Sequence, residues 1–267
     1  LDRTSMDLPG PHDALVRAVA ATNPRTVVVV VSGSPVTLPW RHEVPAILQA
    51  YLGGQAAGAA LADVLTGATD PGGRLAETFP AELADYPVAA IPKGPRQAEY
   101  RESVFVGYRW FDTADVPVAY PFGHGLSYTT FEWSDSTTST SEVTPEELRN
   151  GRLEVSVTVT NTGARTGSEV VQVYAERTDA GIYRPRRALA GFAKVHLRPG
   201  EAERVTVRVD VAGFHHWDAA RGAFVVEDGA WQVHVSASAS DVRASHRVVT
   251  HGGVEPDCSP TCRAYRS

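Results

Sequence analysis

Hydrophobic positions change their period along this chain. Leu15, Val16, Val19 and Ala20 recur at helical spacing across residues 11–23, where Asn23-Pro24 supplies a stop. Residues 26–32 follow as a β-branched run suited to a strand buried on both faces. Residues 46–52 read as a second short strand. Gly53-Gly54 then opens a small-residue helix across residues 55–65, closed by Gly67. Helix, strand, strand, helix is part of an α/β layer. Two strands alone would leave apolar faces and edges uncovered, so the layer reads as incomplete.

After Thr144-Pro145 the period becomes two. Leu153, Val155, Val157 and Val159 alternate with Glu154, Ser156, Thr158 and Thr160, as a strand with one buried face requires. The alternation returns at Val205, Val207, Val209 and Val211 and at Trp231, Val233 and Val235, with Asn161-Thr162-Gly163, Pro199-Gly200 and Asp228-Gly229 as turns. Short strands divided by turn signals predict a β-sandwich of immunoglobulin or fibronectin type. Between the two patterns, Pro and Gly become frequent from Asp70, and residues 99–133 are dense in aromatics, including Tyr100, Phe105, Tyr108, Trp110, Phe111, Phe122 and Trp133. That density predicts a packed connector. The expected order is a partial α/β sandwich domain over residues 1–92, an aromatic connector over 93–133, an all-β sandwich over 134–250 and a loose tail over 251–267.

Composition narrows the function classes. Of 267 residues, 43% are hydrophobic and 21% charged, which suits a packed globular protein. With 31 acidic against 25 basic residues, net −6, no basic field favours nucleic acid. The longest aliphatic run, residues 27–31, is far short of the roughly 20 residues that span a bilayer. Lys93 and Lys194 are the only lysines and neither follows a glycine, so no phosphate loop of the Walker kind is present. Asn23, Asn150 and Asn161 all lack a Ser or Thr two positions later, so no glycosylation acceptor occurs. The chain opens Leu-Asp-Arg without an initiator Met, and this start is expected to be a cut.

Several local features resemble sites and are better read as structure. The carboxylates Asp2, Asp7, Glu43, Asp63, Glu77, Glu99 and Glu102 carry no local mark of a raised pKa in their sequence surroundings. Ser32-Gly33-Ser34 cannot form a nucleophile elbow because Pro35 follows directly. Gly53 to Gly58 approaches a dinucleotide fingerprint, but Gln55 occupies the place of its second glycine, so close helix packing explains the glycines better. Gly123-His124-Gly125 is expected to fix a tight backbone path. His215 and His216 point to opposite sides of an extended chain, and Cys258 and Cys262, even with His251, fall short of four metal ligands.

Five stretches resemble the C-terminal portion of glycoside hydrolase family 3, the β-glucosidase and β-xylosidase family. They are Asp2 to Pro9; Asn23 to Val27 with Ser34-Pro35-Val36 and Pro39-Trp40; Gly54-Gln55 through Leu65 with Pro71 to Leu75 and Thr78-Phe79-Pro80; Val106 to Arg109 with Phe122 to Thr129; and, in the sandwich, Gly167 to Tyr174, Leu189 to Lys194, Leu197 to Glu201 and Trp217-Asp218. The sequence departs from the family where an acidic residue often follows the Gly-Gln motif, since Ala56 and Ala57 stand there. The resemblance implies an α/β sandwich domain followed by a fibronectin III-like domain, and retaining hydrolysis of terminal, non-reducing β-linked sugars without metal or organic cofactor. It also implies that the nucleophilic aspartate lies on an N-terminal (β/α)8 barrel. The acid/base glutamate would lie shortly before Asp2-Arg3.

No catalytic, cofactor-binding or metal residue is therefore expected within this chain. The oligosaccharide or β-glycoside substrate would be held by the absent barrel, with neither nucleic acid nor membrane as partner. The rival reading is a stand-alone carbohydrate-binding or protein-interaction module. Sugar, linkage, compartment and oligomeric state are left open.

Overall fold

The computed structural model describes residues 5–90, 99–179 and 181–254, in two compact units that meet in sequence between Leu126 and Ser127. The architecture is α/β followed by an all-β sandwich.

In the first unit, helix α1 (His12–Thr22) ends at Asn23, whose backbone N–H donates to Val19 O. Strand β1 (Val27–Val30) runs parallel to β2 (Ala46–Gln49) in a two-stranded sheet. Helix α2 (Ala57–Thr66) stops at Gly67, a left-handed residue with φ of 76° that no β-branched side chain would tolerate well. A short β3 (Phe79–Pro80) pairs antiparallel with β4 (Val118–Tyr120), and α3 (Tyr108–Thr113) precedes that pairing. The core gathers Val30, Val36, Leu38, Trp40, Val44 and Phe79, and the Trp40 indole donates to Asp13 Oδ1 at 2.7 Å.

Two expectations need correction here. Residues 26–32 are not buried on both faces: only four form strand, Val27 is 50% exposed and Val31 64% exposed. The physical reason is that the faces of a strand are buried by layers packed on the sheet, and among the described residues neither α1 nor α2 buries a residue there. The connector is packed only in part. Phe111 is buried and meets Tyr86 edge to face, and Tyr108 stacks on Phe122, but Tyr100 stands 80% exposed.

The second unit comprises β5 (Phe131–Thr138), β6 (Glu142–Val143), the short helix α4 (Pro145–Arg149), β7 (Glu154–Asn161), β8 (Gly167–Arg177), β9 (Arg187–Leu197), β10 (Ala202–Arg208), β11 (His216–Asp218), β12 (Ala223–Val226), β13 (Gly229–Ser236), β14 (Val242–Thr250) and β15 (Gly253–Val254). One sheet has the order β10-β7-β5 and the other β6-β14-β13-β8-β9, with a small β11-β12-β15 sheet beside them. Strand β7 alternates buried and wet positions as its sequence requires, with Val155, Val157 and Val159 inward. The two inner faces meet in one core that includes Leu153, Val171, Val173, Val207, Phe214, Trp231, Val233 and Val248. Helix α4 is fixed by a capping box between Thr144 and Glu147, which also holds the Glu147 carboxyl below its usual range. Val209 and Val211 extend the alternation of β10 in sequence but lie past its end, where Asp210 caps a 3-10 turn over Val211–Gly213.

Candidate functional site

In an open parallel sheet, ligands sit beyond the carboxyl ends of the strands. At that end of β1 and β2, the Gln49 side-chain amide donates to Ser32 O at 3.1 Å and to Ser32 Oγ at 3.2 Å. Ser32 Oγ donates in turn to Ser34 O at 2.9 Å. Ser32 is thus tied into its own loop. Gln49 Oε1 is buried and lacks a partner among the described residues. Tyr51 adopts a left-handed φ of 52° beside it, and its hydroxyl accepts the Ala76 amide at 3.1 Å. Leu52 next in sequence is 73% exposed. Gln49 and Tyr51 did not stand out in the sequence; an aromatic just before a Gly-Gly pair was the available signal.

The glycines around this end are there for close approach. A Cβ on Gly33 would come 2.9 Å from Leu52 Cδ1, and one on Gly53 would collide with the Ala57 methyl at the start of α2. A second tight passage joins the 73–75 segment to the Gly-His-Gly loop. Leu75 N donates to His124 O and Gly123 N donates to Leu75 O, both at 2.8 Å. A Cβ on Gly125 would collide with Gly73 O, and the His124 ring stacks on Tyr120. His124 therefore sits in a loop whose backbone path is fixed from both sides.

The carboxylates weighed from sequence each have a different neighbourhood. Asp7 accepts hydrogen bonds from Thr37 Oγ1 at 2.6 Å and Ser5 Oγ at 2.7 Å, and these hold its carboxyl below the usual range, opposite to what a general acid needs. Glu43 pairs with Arg17 at 3.1 Å, and Glu99 pairs with Arg101. Asp63 is exposed on α2. Glu77 contributes, after burial, to pushing the Tyr86 phenol up to about 12. Glu102 keeps one buried carboxylate oxygen without a partner among the described residues. Asp2, Cys258 and Cys262 lie outside the described residues. His215 stacks on Phe224, burial pushes the His216 imidazole down, and His251 bonds Glu142 at 3.3 Å. Among the described residues no three metal-ligating side chains come together.

Known proteins give this arrangement a context. The Glycosyl hydrolase family 3 C-terminal domain matches residues 1–128, and the Fibronectin type III-like domain matches residues 169–239. Thermostable beta-glucosidase B of Acetivibrio thermocellus is 42% identical over 242 residues, 90% of this chain and 32% of that protein. Probable beta-glucosidase I of Aspergillus terreus is 43% identical over 247 residues, 91% of this chain and 29% of that protein. Among solved structures, a beta-glucosidase from Kluyveromyces marxianus superposes with a TM-score of 0.85 at 39% identity, covering 95% of this chain and 30% of that one. DesR, a beta-glucosidase from Streptomyces venezuelae in complex with D-glucose, gives 0.85 at 40% identity, with 93% and 32% covered. The chain thus spans about 30% of the length of these relatives.

Proposed function

We propose, from the premise that this chain belongs to glycosyl hydrolase family 3 through the family's C-terminal domain and an adjoining fibronectin type III-like domain, that it is the C-terminal part of a retaining exo-β-glycosidase of the β-glucosidase kind. The observation that carries this reading is similarity across nine tenths of the chain to β-glucosidases two thirds of whose length lies outside it. Retaining hydrolysis of a terminal β-linked glucoside needs two carboxyl groups about 5–5.5 Å apart, one as nucleophile and one as acid/base. Among the described carboxylates of the first unit, Asp7 is held by Thr37 and Ser5, Glu43 by Arg17 and Glu99 by Arg101, each to a different neighbour. No (β/α)8 barrel is formed by the described residues, whose parallel pairings are β1 with β2 and β6 with β14.

The part played by this chain is to shape and support. The loops at the carboxyl ends of β1 and β2 offer a wall against which the sugar-binding barrel of the whole enzyme can close. The chain by itself hydrolyses no aryl β-glucoside under this reading. Assay of the pure chain with 4-nitrophenyl β-glucoside tests it: turnover that disappears in Asp7→Asn or Glu102→Gln would overturn the reading, and an absence of turnover is the expected result.

A further inference from the structure

The loop between β8 and β9 builds a cleft that the family relationship does not assign to any ligand. Its volume is about 330 Å³, at the lower end of the range for small-molecule sites, and its lining includes Arg177, Asp179, Ile182, Tyr183, Arg184 and Arg186. The polar part is held in place from behind. Arg177, 8% exposed in its side chain, donates from Nε to Asp179 Oδ1 at 2.6 Å, from Nη2 to Asp228 O at 2.8 Å and from Nη1 to Glu227. Arg184 shares Glu227, donates to Phe214 O at 3.3 Å and places its guanidinium carbon over the buried Trp231 ring, 5.1 Å from the ring centroid. Asp179 Oδ2 accepts the Ala230 amide at 2.9 Å. In contrast, the lip is apolar and outward, with Ile182 44% and Tyr183 79% exposed.

Charge decides between ligand classes. The three guanidinium groups of the lining lie against the carboxylates of Asp179, Glu227 and Glu176, the last 3.4 Å from Arg186 and 4.0 Å from Arg187, so most of the positive charge of the wall is offset. A wall whose cations are already paired has little field left to draw in phosphate or a uronate. Planar guanidinium and carboxylate forks beside an exposed aromatic ring match a pyranose, which presents vicinal hydroxyls at its rim and C–H groups on its face. We propose that this cleft is a secondary binding site for a neutral oligosaccharide, with Tyr183 as its stacking platform. The choice of a β-linked probe rests on the β-glucosidase reading, whereas the neutral-sugar chemistry of the cleft does not.

The test is NMR titration of the 15N-labelled chain with cellotriose into the tens of millimolar. The expected result is a Kd of about 1 mM with shifts confined to amides of residues 177–186. Tyr183→Ala should weaken binding at least about tenfold while leaving the melting temperature in place, because this ring is mostly solvated. Phe192→Ala, which removes an aromatic 67% exposed elsewhere on the sandwich, should leave binding unchanged. Equal binding of maltotriose would support the cleft and leave the β-glucosidase reading to its own hydrolysis assay. No shifts, shifts that survive Tyr183→Ala, or tighter binding of glucose 6-phosphate than of neutral sugar would overturn the proposal.

Discussion

The sandwich closes around its own hydrophobic residues, whereas neither principal helix of the α/β unit, α1 nor α2, buries a single residue. In the sandwich, Leu153, Val155, Val173, Trp231 and Val248 are all essentially inaccessible. In the α/β unit, Leu15 is 58% exposed, with Val19, Val27 and Leu65 also outward. Apolar area on this scale contributes to stability only when covered, at about 25 cal/mol per Å². Among the described residues, then, the sandwich covers its apolar side chains more completely than the α/β unit covers those of α1 and α2. That contrast is in keeping with the supporting role proposed above.

Substitutions in each unit put this contrast to measurement. Trp231→Ala should cost about 3–5 kcal/mol, measured by denaturant unfolding, because it empties the centre of the sandwich where Phe214 packs at 4.8 Å between centroids. Leu15→Ser on α1 should move the same measurement by no more than about 0.5 kcal/mol. Equal costs at the two positions would erase the distinction between the units. Asn161→Ala should cost about 2–3 kcal/mol: the buried side chain donates to Arg165 O at 2.7 Å and Leu197 O at 2.9 Å and accepts from Thr129 Oγ1 at 2.6 Å, and its loss strands those partners. In the α/β unit, Gly125→Ala should cost about 1–3 kcal/mol through collision with Gly73 O. A larger loss from His124→Ala than from Gly125→Ala would show that the ring, not the backbone path, governs the loop.

The smallest effect concerns pH. Burial pushes the His234 imidazole below its ordinary 6.5, ahead of the opposing pull of Glu176, whose carboxylate lies 2.9 Å away with Arg186 and Arg187 nearby. The unfolded chain therefore takes up the proton first, so this contribution is complete above about pH 6.5 and declines as pH falls below it. Thermal melts between pH 7 and 5 should show a shallower decline in His234→Gln than in the unaltered chain. His246, also pushed down by burial, acts in the same direction and keeps the remaining slope above zero.

Much of this was legible because period encodes burial. Helix α1 and strands β7, β10 and β13 carry their spacing openly, since each has one wet face. Strand β8 did not declare itself by alternation: Val171, Gln172, Val173, Tyr174 and Ala175 are buried in succession, so both faces select against water and the period vanishes. The exposure of Val27 and Val31 was illegible for a different reason, since a β-branched run looks the same whether or not a layer covers its faces. The sugar-sized cleft gave no sequence signal because Arg177, Arg184 and Glu227 come together from separate strands and loops. The candidate site at the ends of β1 and β2 was not legible in the sequence, because its contacts, Gln49 to Ser32 and Tyr51 to Ala76, join residues distant along the chain.

The proposal that this chain belongs to a retaining glycosidase whose nucleophile lies in the remainder of that enzyme is best checked by covalent trapping. A 2-deoxy-2-fluoro-glucosyl fluoride reacts with the nucleophilic carboxylate of a retaining β-glucosidase and stalls as a glycosyl ester. Intact-mass spectrometry of the pure chain after incubation should show the unmodified mass alone. A stoichiometric fluoroglucosyl adduct on any Asp or Glu of this chain would contradict the account.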